Sequence, residues 1–305
     1  MVRSALFPRW FPAEPPAGVP GDAGLFGPGS EVWRIGREKM LLASGPAALL
    51  MQLAHPLVAA GVVQHSNFRA DPLHRLRTTL DTTLTVYFGD QAQAEAAAAR
   101  VRRRHRHVTG RTTTTVGRFP AGTPYRADDP QLTRWVHATL VWTAVELYDR
   151  CIAPLPLPCR ARYQVEMPRF GLLLGVPEEL LPRSYSEFKD YVRGMDQDAV
   201  LEVGPEARDL AEQVLAPDAG GLPWPLSDTA GRLSRILAAG LLPPRLRAGY
   251  RLSWGWREQR TFGTFCQTSR AVVPVLPAQV RYWPHYLSAE SRLRQRRPPS
   301  RSSTC

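Results

Sequence analysis

Apolar residues recur at three- and four-residue steps along most of the chain, whereas strand-type alternation is sparse and no Asn-Gly or Asp-Gly turn sits between alternating runs. The pattern is helical. Three helices mark their own ends. The first enters at Asp71 and Pro72, a capping residue followed by proline at the first helical position, runs through PLHRLRTTLDTTLTVYF and stops at Gly89. The second starts after Asp90, passes through QAQAEAAAARVRRRHRHVT and ends at Gly110. The third repeats the Asp-Pro entry at Asp129 and Pro130 and continues as QLTRWVHATLVWTAVELYDR to Arg150. Further helical patterns cover 160–174, 186–201, 206–215 and 226–239. Between them stand Pro154, Pro156, Pro158, Pro223, Pro225, Pro243 and Pro244. The expectation is an all-α protein built as a single large domain.

One segment, 40–63 (MLLASGPAALLMQLAHPLVAAGVV), runs without a formal charge and is long enough to span a bilayer. Two prolines, Gln52 and His55 suit a buried protein helix better, so a soluble core helix is expected. The opening MVRSALFPRWFPAEPPAGVPGDAG has no apolar run of signal-peptide type and reads as an irregular arm rich in proline and glycine. The end, RLRQRRPPSRSSTC, reads as a disordered basic tail.

Composition adds a size and a sign. With 305 residues and 44% hydrophobic content the chain can bury a full-sized core. Its 39 Lys and Arg against 27 Asp and Glu leave a formal charge of +12, a surface that attracts phosphates or acidic membranes without specificity. A weak peripheral membrane contact follows from that charge. Specific nucleic-acid binding does not, because no recognition motif is present and aromatic residues do not interleave with the arginines. Cys151, Cys159, Cys266 and Cys305 form neither a CxxC pair nor a zinc spacing, and free thiols in a reducing cytoplasm are expected.

Candidate chemistry sits in the stretch ARVRRRHRHVTG. Ala94, Ala97, Ala98, Val101 and Val108 define one face of the second helix, and His105 falls on that stripe, four after Val101 and three before Val108. Arg102, Arg103, Arg106 and His107 point elsewhere and read as a solvated face near a helix C-terminus, where positive charge is favoured. A buried imidazole needs a hydrogen-bond partner or a metal. His137, on a helix apolar on nearly every side, raises the same choice, with a core hydrogen bond as the default. Arg75 and Thr79 share a face of the first helix, with Thr82 and Thr83 one turn on. They read either as a surface patch or as polar groups beside a pocket. His55 and His65 lie on the long apolar segment, His55 directly before Pro56, where helices tend to kink.

The run ASGPAALLMQLAHPLVAAGVVQHSNFRADPLHRLRTTL, then RHRHVTG, then GTPYRADDPQLTRWVHATLV, closely resembles the core of a bacterial and fungal oxygenase family. That family includes the latex-clearing rubber oxygenase and the membrane-bound oxygenase of mycophenolic acid biosynthesis. LLPPRLRAGYRLSW and VVPVLPAQVRYWP look like the family's C-terminal helices. The resemblance covers 32–286, which leaves 1–31 as the arm and 287–305 as the tail.

The resemblance implies a globin-like helical core, a b-type haem, and dioxygen-dependent cleavage of double bonds in a hydrophobic, isoprenoid or lipid-like substrate. By motif position the haem iron ligand falls on His105, a distal arginine on Arg75 and a distal threonine on Thr79, with His137 as a neighbouring or alternative ligand. Arg75 would pair with a haem propionate or polarise dioxygen. The family's distal lysine position is Thr78 here, which implies a different resting state and counts against rubber as the substrate. With no CxxCH motif, the haem is expected to be non-covalent. A cytoplasmic protein, peripheral to a membrane at most, is the expected location. Two other readings stay open: a haem carrier or sensor without turnover, and a cofactor-free lipid binder.

Overall fold

A computed structural model describes residue 12 and residues 15–65, 72–215 and 226–295, without the side chains of 72–76 and 226–227. The chain is an all-α single domain, with one short hairpin among its helices. At its centre lies the Pro130–Leu147 helix. Asp129 caps it, accepting from Gln131 N and Leu132 N at 2.7 and 3.4 Å, and Pro130 gives up no hydrogen bond at the first position. Leu132, Trp135, Ala138, Val141, Val145 and Leu147 are buried around its circumference, as the near-continuous apolar run requires. Trp135 Nε1 donates to the Met51 carbonyl at 3.1 Å, and Gln52 Nε2 to Thr139 Oγ1 at 3.0 Å, fixing the Gly45–Leu53 helix across it.

The apolar segment expected as one helix is three. Lys39–Ser44 is a 3-10 turn, Gly45–Leu53 and Pro56–His65 are α-helical, and the chain bends by 107° at the break. Pro56 lacks the N–H that would continue the ladder. His55 Nδ1 instead accepts from Leu57 N at 3.3 Å, and the Ala54 carbonyl accepts from Glu202 N at 2.8 Å. Among the described residues no single helix is long and apolar enough to cross a membrane.

The Pro72–Phe88 and Gln91–His105 helices form an antiparallel hairpin joined at Gly89 and Asp90. Asp90 makes a capping box, with Gln93 N donating to its carboxylate at 2.8 Å and Asp90 N to Gln93 Oε1 at 3.0 Å. Gly24 has a φ of 71° and packs so close to Gly89 that a Cβ would stand 2.0 Å from the Gly89 carbonyl oxygen. Only glycine fits there.

Several boundaries differ from expectation. The second helix ends at His105 rather than near Gly110, because Thr109–Arg111 pairs antiparallel with Pro124–Arg126 as a two-stranded hairpin. The 160–174 pattern is split by Pro168 into Leu157–Glu166 and Pro168–Leu173. The expected tail from 287 is helical as far as Arg294, in the helix Pro284–Arg294. Arg292 there is 3% exposed, its Nε donating to the Asp22 carbonyl at 2.8 Å and its Nη2 to that of Phe88 at 2.9 Å. Residues 296–305 lie outside the described residues, as does Asp71.

The free-thiol expectation is corrected for two cysteines. Cys151, in the turn Tyr148–Ile152, and Cys266, on the helix Trp256–Val272, form a buried disulfide, while Cys159 is free. Their separation of 115 residues leaves no local spacing to read.

Candidate functional site

Helix breaks and the hairpin together leave a cavity of about 570 Å³ beside the central helix, within the size range of small-molecule sites. Its walls are mostly apolar. Leu57, Val58 and Val62 come from the helix after the Pro56 break, Leu132, Val136 and Leu140 from the central helix, and Phe170 and Leu174 close one end. The two antiparallel helices supply the polar lining. Thr78, Thr79, Thr82 and Thr83 share one face of Pro72–Phe88, and the antiparallel run sets that face beside Val101, Arg104 and His105 at the end of Gln91–His105.

His105 is half-buried and lines the cavity from the last turn of its helix, whereas Val108, expected on the same helical stripe, lies beyond the helix end and reaches the cavity from the loop before the hairpin. A carboxylate stands within its electrostatic reach. Arg126 grips Asp128 with hydrogen bonds of 3.0 and 2.9 Å and holds that carboxyl below its ordinary range, and the field of His105 adds to the same pull. Thr79 lines the cavity as expected for a pocket residue, and so does Thr78, where the family pattern would place a lysine. Arg75 lies on the same helix, but its side chain is outside the described residues.

His137 is elsewhere. It is 4% exposed, its Nε2 donates to the Met167 carbonyl at 3.0 Å, and burial pushes its pKa down to about 4. It reaches the cavity only through Phe170, whose ring it meets edge-on at 5.9 Å. His55 is likewise a core residue, packed on Phe119 and lowered to about 4 by burial and then by the charge of Arg118.

Four polar lining residues were not singled out as site candidates by sequence: Arg104, Gln52, Thr133 and Tyr125. Tyr125 is the inward residue of the short strand, 4% exposed, and its hydroxyl donates to Gln64 Oε1 at 2.7 Å. Gln64 Nε2 in turn donates to the Arg111 carbonyl at 2.9 Å, and His65 Nε2 to that of Thr109 at 2.9 Å, so the hairpin is pinned to the Pro56–His65 helix. Period-two exposure over three residues is too short a signal to read in advance. Arg104 gives none, since its neighbours on both sides are arginines.

Fold and site thus define an all-helical protein with a mostly apolar cavity that carries two imidazoles, those of His105 and His65, and a row of hydroxyls. The chain belongs to the family described as ER-bound oxygenase mpaB/B'/Rubber oxygenase, catalytic domain, which it matches over residues 32–271. That domain is an oxygenase, and the chain is an enzyme of that class. Comparison with curated proteins and with solved structures returns no match.

Proposed function

We propose that the protein is a haem b-dependent oxygenase that brings dioxygen to a hydrophobic, isoprenoid or lipid-like substrate. The observation that carries this reading is the meeting of His105 with Thr78 and Thr79 in one predominantly apolar cavity. The residues fit the group. Among the described residues no set of three or more His, Cys, Asp or Glu side chains is grouped to hold a metal ion, and His105 would suit iron carried in a haem, which needs few ligands from the protein.

Bound there, haem would supply the redox chemistry of dioxygen, which no side chain of the cavity can. The chain's own residues do the rest. His105 would hold the iron through a ring nitrogen. Arg104, exposed at the cavity wall, offers a cation for a propionate, and Arg75 is the second candidate for that role. The Thr79 hydroxyl offers a hydrogen bond, while the aliphatic walls and Phe170 exclude water and accept an apolar chain.

The test is an absorption spectrum of the purified protein together with haem content in His105→Ala. The expected result is a b-type spectrum and strong loss of haem from a variant whose circular dichroism is unchanged. Full occupancy with an unaltered spectrum in His105→Ala would overturn the ligand. No haem after expression with excess precursor would replace the reading with cofactor-free lipid binding.

A further inference from the structure

A second cavity, of about 360 Å³, is lined by other faces of the same two hairpin helices. Three helices wall it with single faces: Asp81, Thr85 and Phe88 from Pro72–Phe88, Gln93, Ala96 and Arg100 from Gln91–His105, and His285 and Arg292 from Pro284–Arg294. The steps of three, four and seven residues explain why each set faces one way. The Pro15 and Pro16 segment crosses its edge, held by a 3.2 Å bond from Gln93 Nε2 to the Pro16 carbonyl.

His285 makes this more than a packing gap. It is 2% exposed, it lines the cavity, and neither ring nitrogen has a hydrogen-bond partner among the described residues. Asp81 Oδ1 stands 3.8 Å from Nε2, beyond hydrogen-bond reach. Buried polar groups are normally satisfied, so a polar side chain left open toward a cavity marks a place for a partner. Asp81 is half-exposed and Arg100 exposed, so the cavity communicates with solvent. Arg100 has no ion pair or hydrogen bond among the described residues, whereas Arg292 is spent on the Asp22 and Phe88 carbonyls.

We propose that this cavity binds a small carboxylic acid carrying a hydroxyl or amino group at its other end. The carboxylate pairs with Arg100. The donor end lies between Asp81, which accepts, and His285, whose two nitrogens offer one donor and one acceptor. Phe88 and Ala96 cover the intervening carbons. A divalent metal fits less well, because two protein ligands face two guanidinium groups across so small a space. The proposal is independent of the haem reading.

Equilibrium dialysis of the full chain as purified, with radiolabelled γ-aminobutyrate as probe, tests it. Saturable one-to-one binding is expected, displaced by γ-hydroxybutyrate but not by butyrate or n-butylamine, which each lack one end. Arg100→Gln and Asp81→Asn, both solvent-facing and so compatible with folding, should each weaken binding roughly tenfold or more, the scale of one charge-assisted hydrogen bond. Thr79→Val, in the other cavity, should not change it. Absence of saturable binding at millimolar probe overturns the proposal and leaves a cleft for ordered water. Equal displacement by butyrate and n-butylamine overturns it as well, and so does unchanged binding in both variants.

Discussion

His137 Nε2 donates to the carbonyl oxygen of Met167, the residue between the helices Leu157–Glu166 and Pro168–Leu173, so an imidazole of the central helix ties down the helix junction behind the cavity wall. The ring is buried, and it does this work in its neutral form.

A pH dependence follows. Burial lowers the pKa of His137 from 6.5 to about 4, and that of His55 to about 4 as well. Between those values the unfolded chain takes up protons that the native state refuses, so their stabilising contribution is full above pH 6.5 and shrinks as pH falls toward about 4. Each ring accounts for on the order of 3 kcal/mol at the lower end. Urea midpoints should decline steadily across this window, and His137→Gln should make that decline shallower. A midpoint that stays constant from neutral pH down to about 5 would contradict this account.

The Cys151–Cys266 disulfide closes a loop of 115 residues. Chain-entropy arguments give about 4 to 5 kcal/mol for a loop of that size. Reductant should therefore lower the thermal midpoint strongly, and Cys151→Ala should do the same without any response to reductant. Denaturation in the presence of an alkylating reagent should leave two thiols unlabelled until reduction. Labelling of all four cysteines without reductant would refute the pairing.

Tyr125 holds the hairpin to the cavity at a position where space is exhausted. A Cβ on Gly110, its cross-strand partner, would stand 2.6 Å from the Tyr125 hydroxyl and 2.8 Å from Gln64 Oε1. Gly110→Ala must displace the tyrosine and break its bond to Gln64, a loss of about 1 to 3 kcal/mol for a buried hydroxyl left unpaired. The expected result is a lower melting temperature together with weaker haem retention, since Val108 and Ala127 flank the same strands and line the cavity. Unchanged stability and haem content would show that the hairpin yields freely.

How far the sequence could be read depended on range. The Asp-Pro entry at Asp129, the cap at Asp90 and the apolar stripe through Val101 are local signals, and the helices they mark are present. Pro56 signalled its break through the residue before it, but the 107° bend is set by what packs on either side. His105 could be turned toward the interior because one helix face suffices to say so. What filled that interior could not be read, since Tyr125, Gln52 and Phe170 enter from elements far away in sequence. The disulfide and the His285 cavity fail to register for the same reason: each depends on helices that meet only after folding.

Thr79 and Arg75 carry the last prediction, because they distinguish a distal site from a polar surface. Thr79 lines the cavity that His105 lines, and Arg75 lies one turn earlier on the same helix. A guanidinium beside the reacting dioxygen would stabilise the negative charge that develops as the O–O unit is reduced. Arg75→Ala should then depress oxygen-dependent turnover of a hydrophobic substrate by ~10²-fold or more, the scale of losing one preorganised donor. Haem loading separates its two roles. If Arg75 acts on dioxygen, loading stays near that of the parent, and if it anchors a propionate, loading and turnover fall together. Thr79→Val exchanges a hydroxyl for a methyl at nearly constant volume, so folding should persist while the rate of air oxidation of the reduced protein changes. Wild-type oxygen kinetics in both variants would remove both residues from the distal role and leave His105 as the polar anchor of the site.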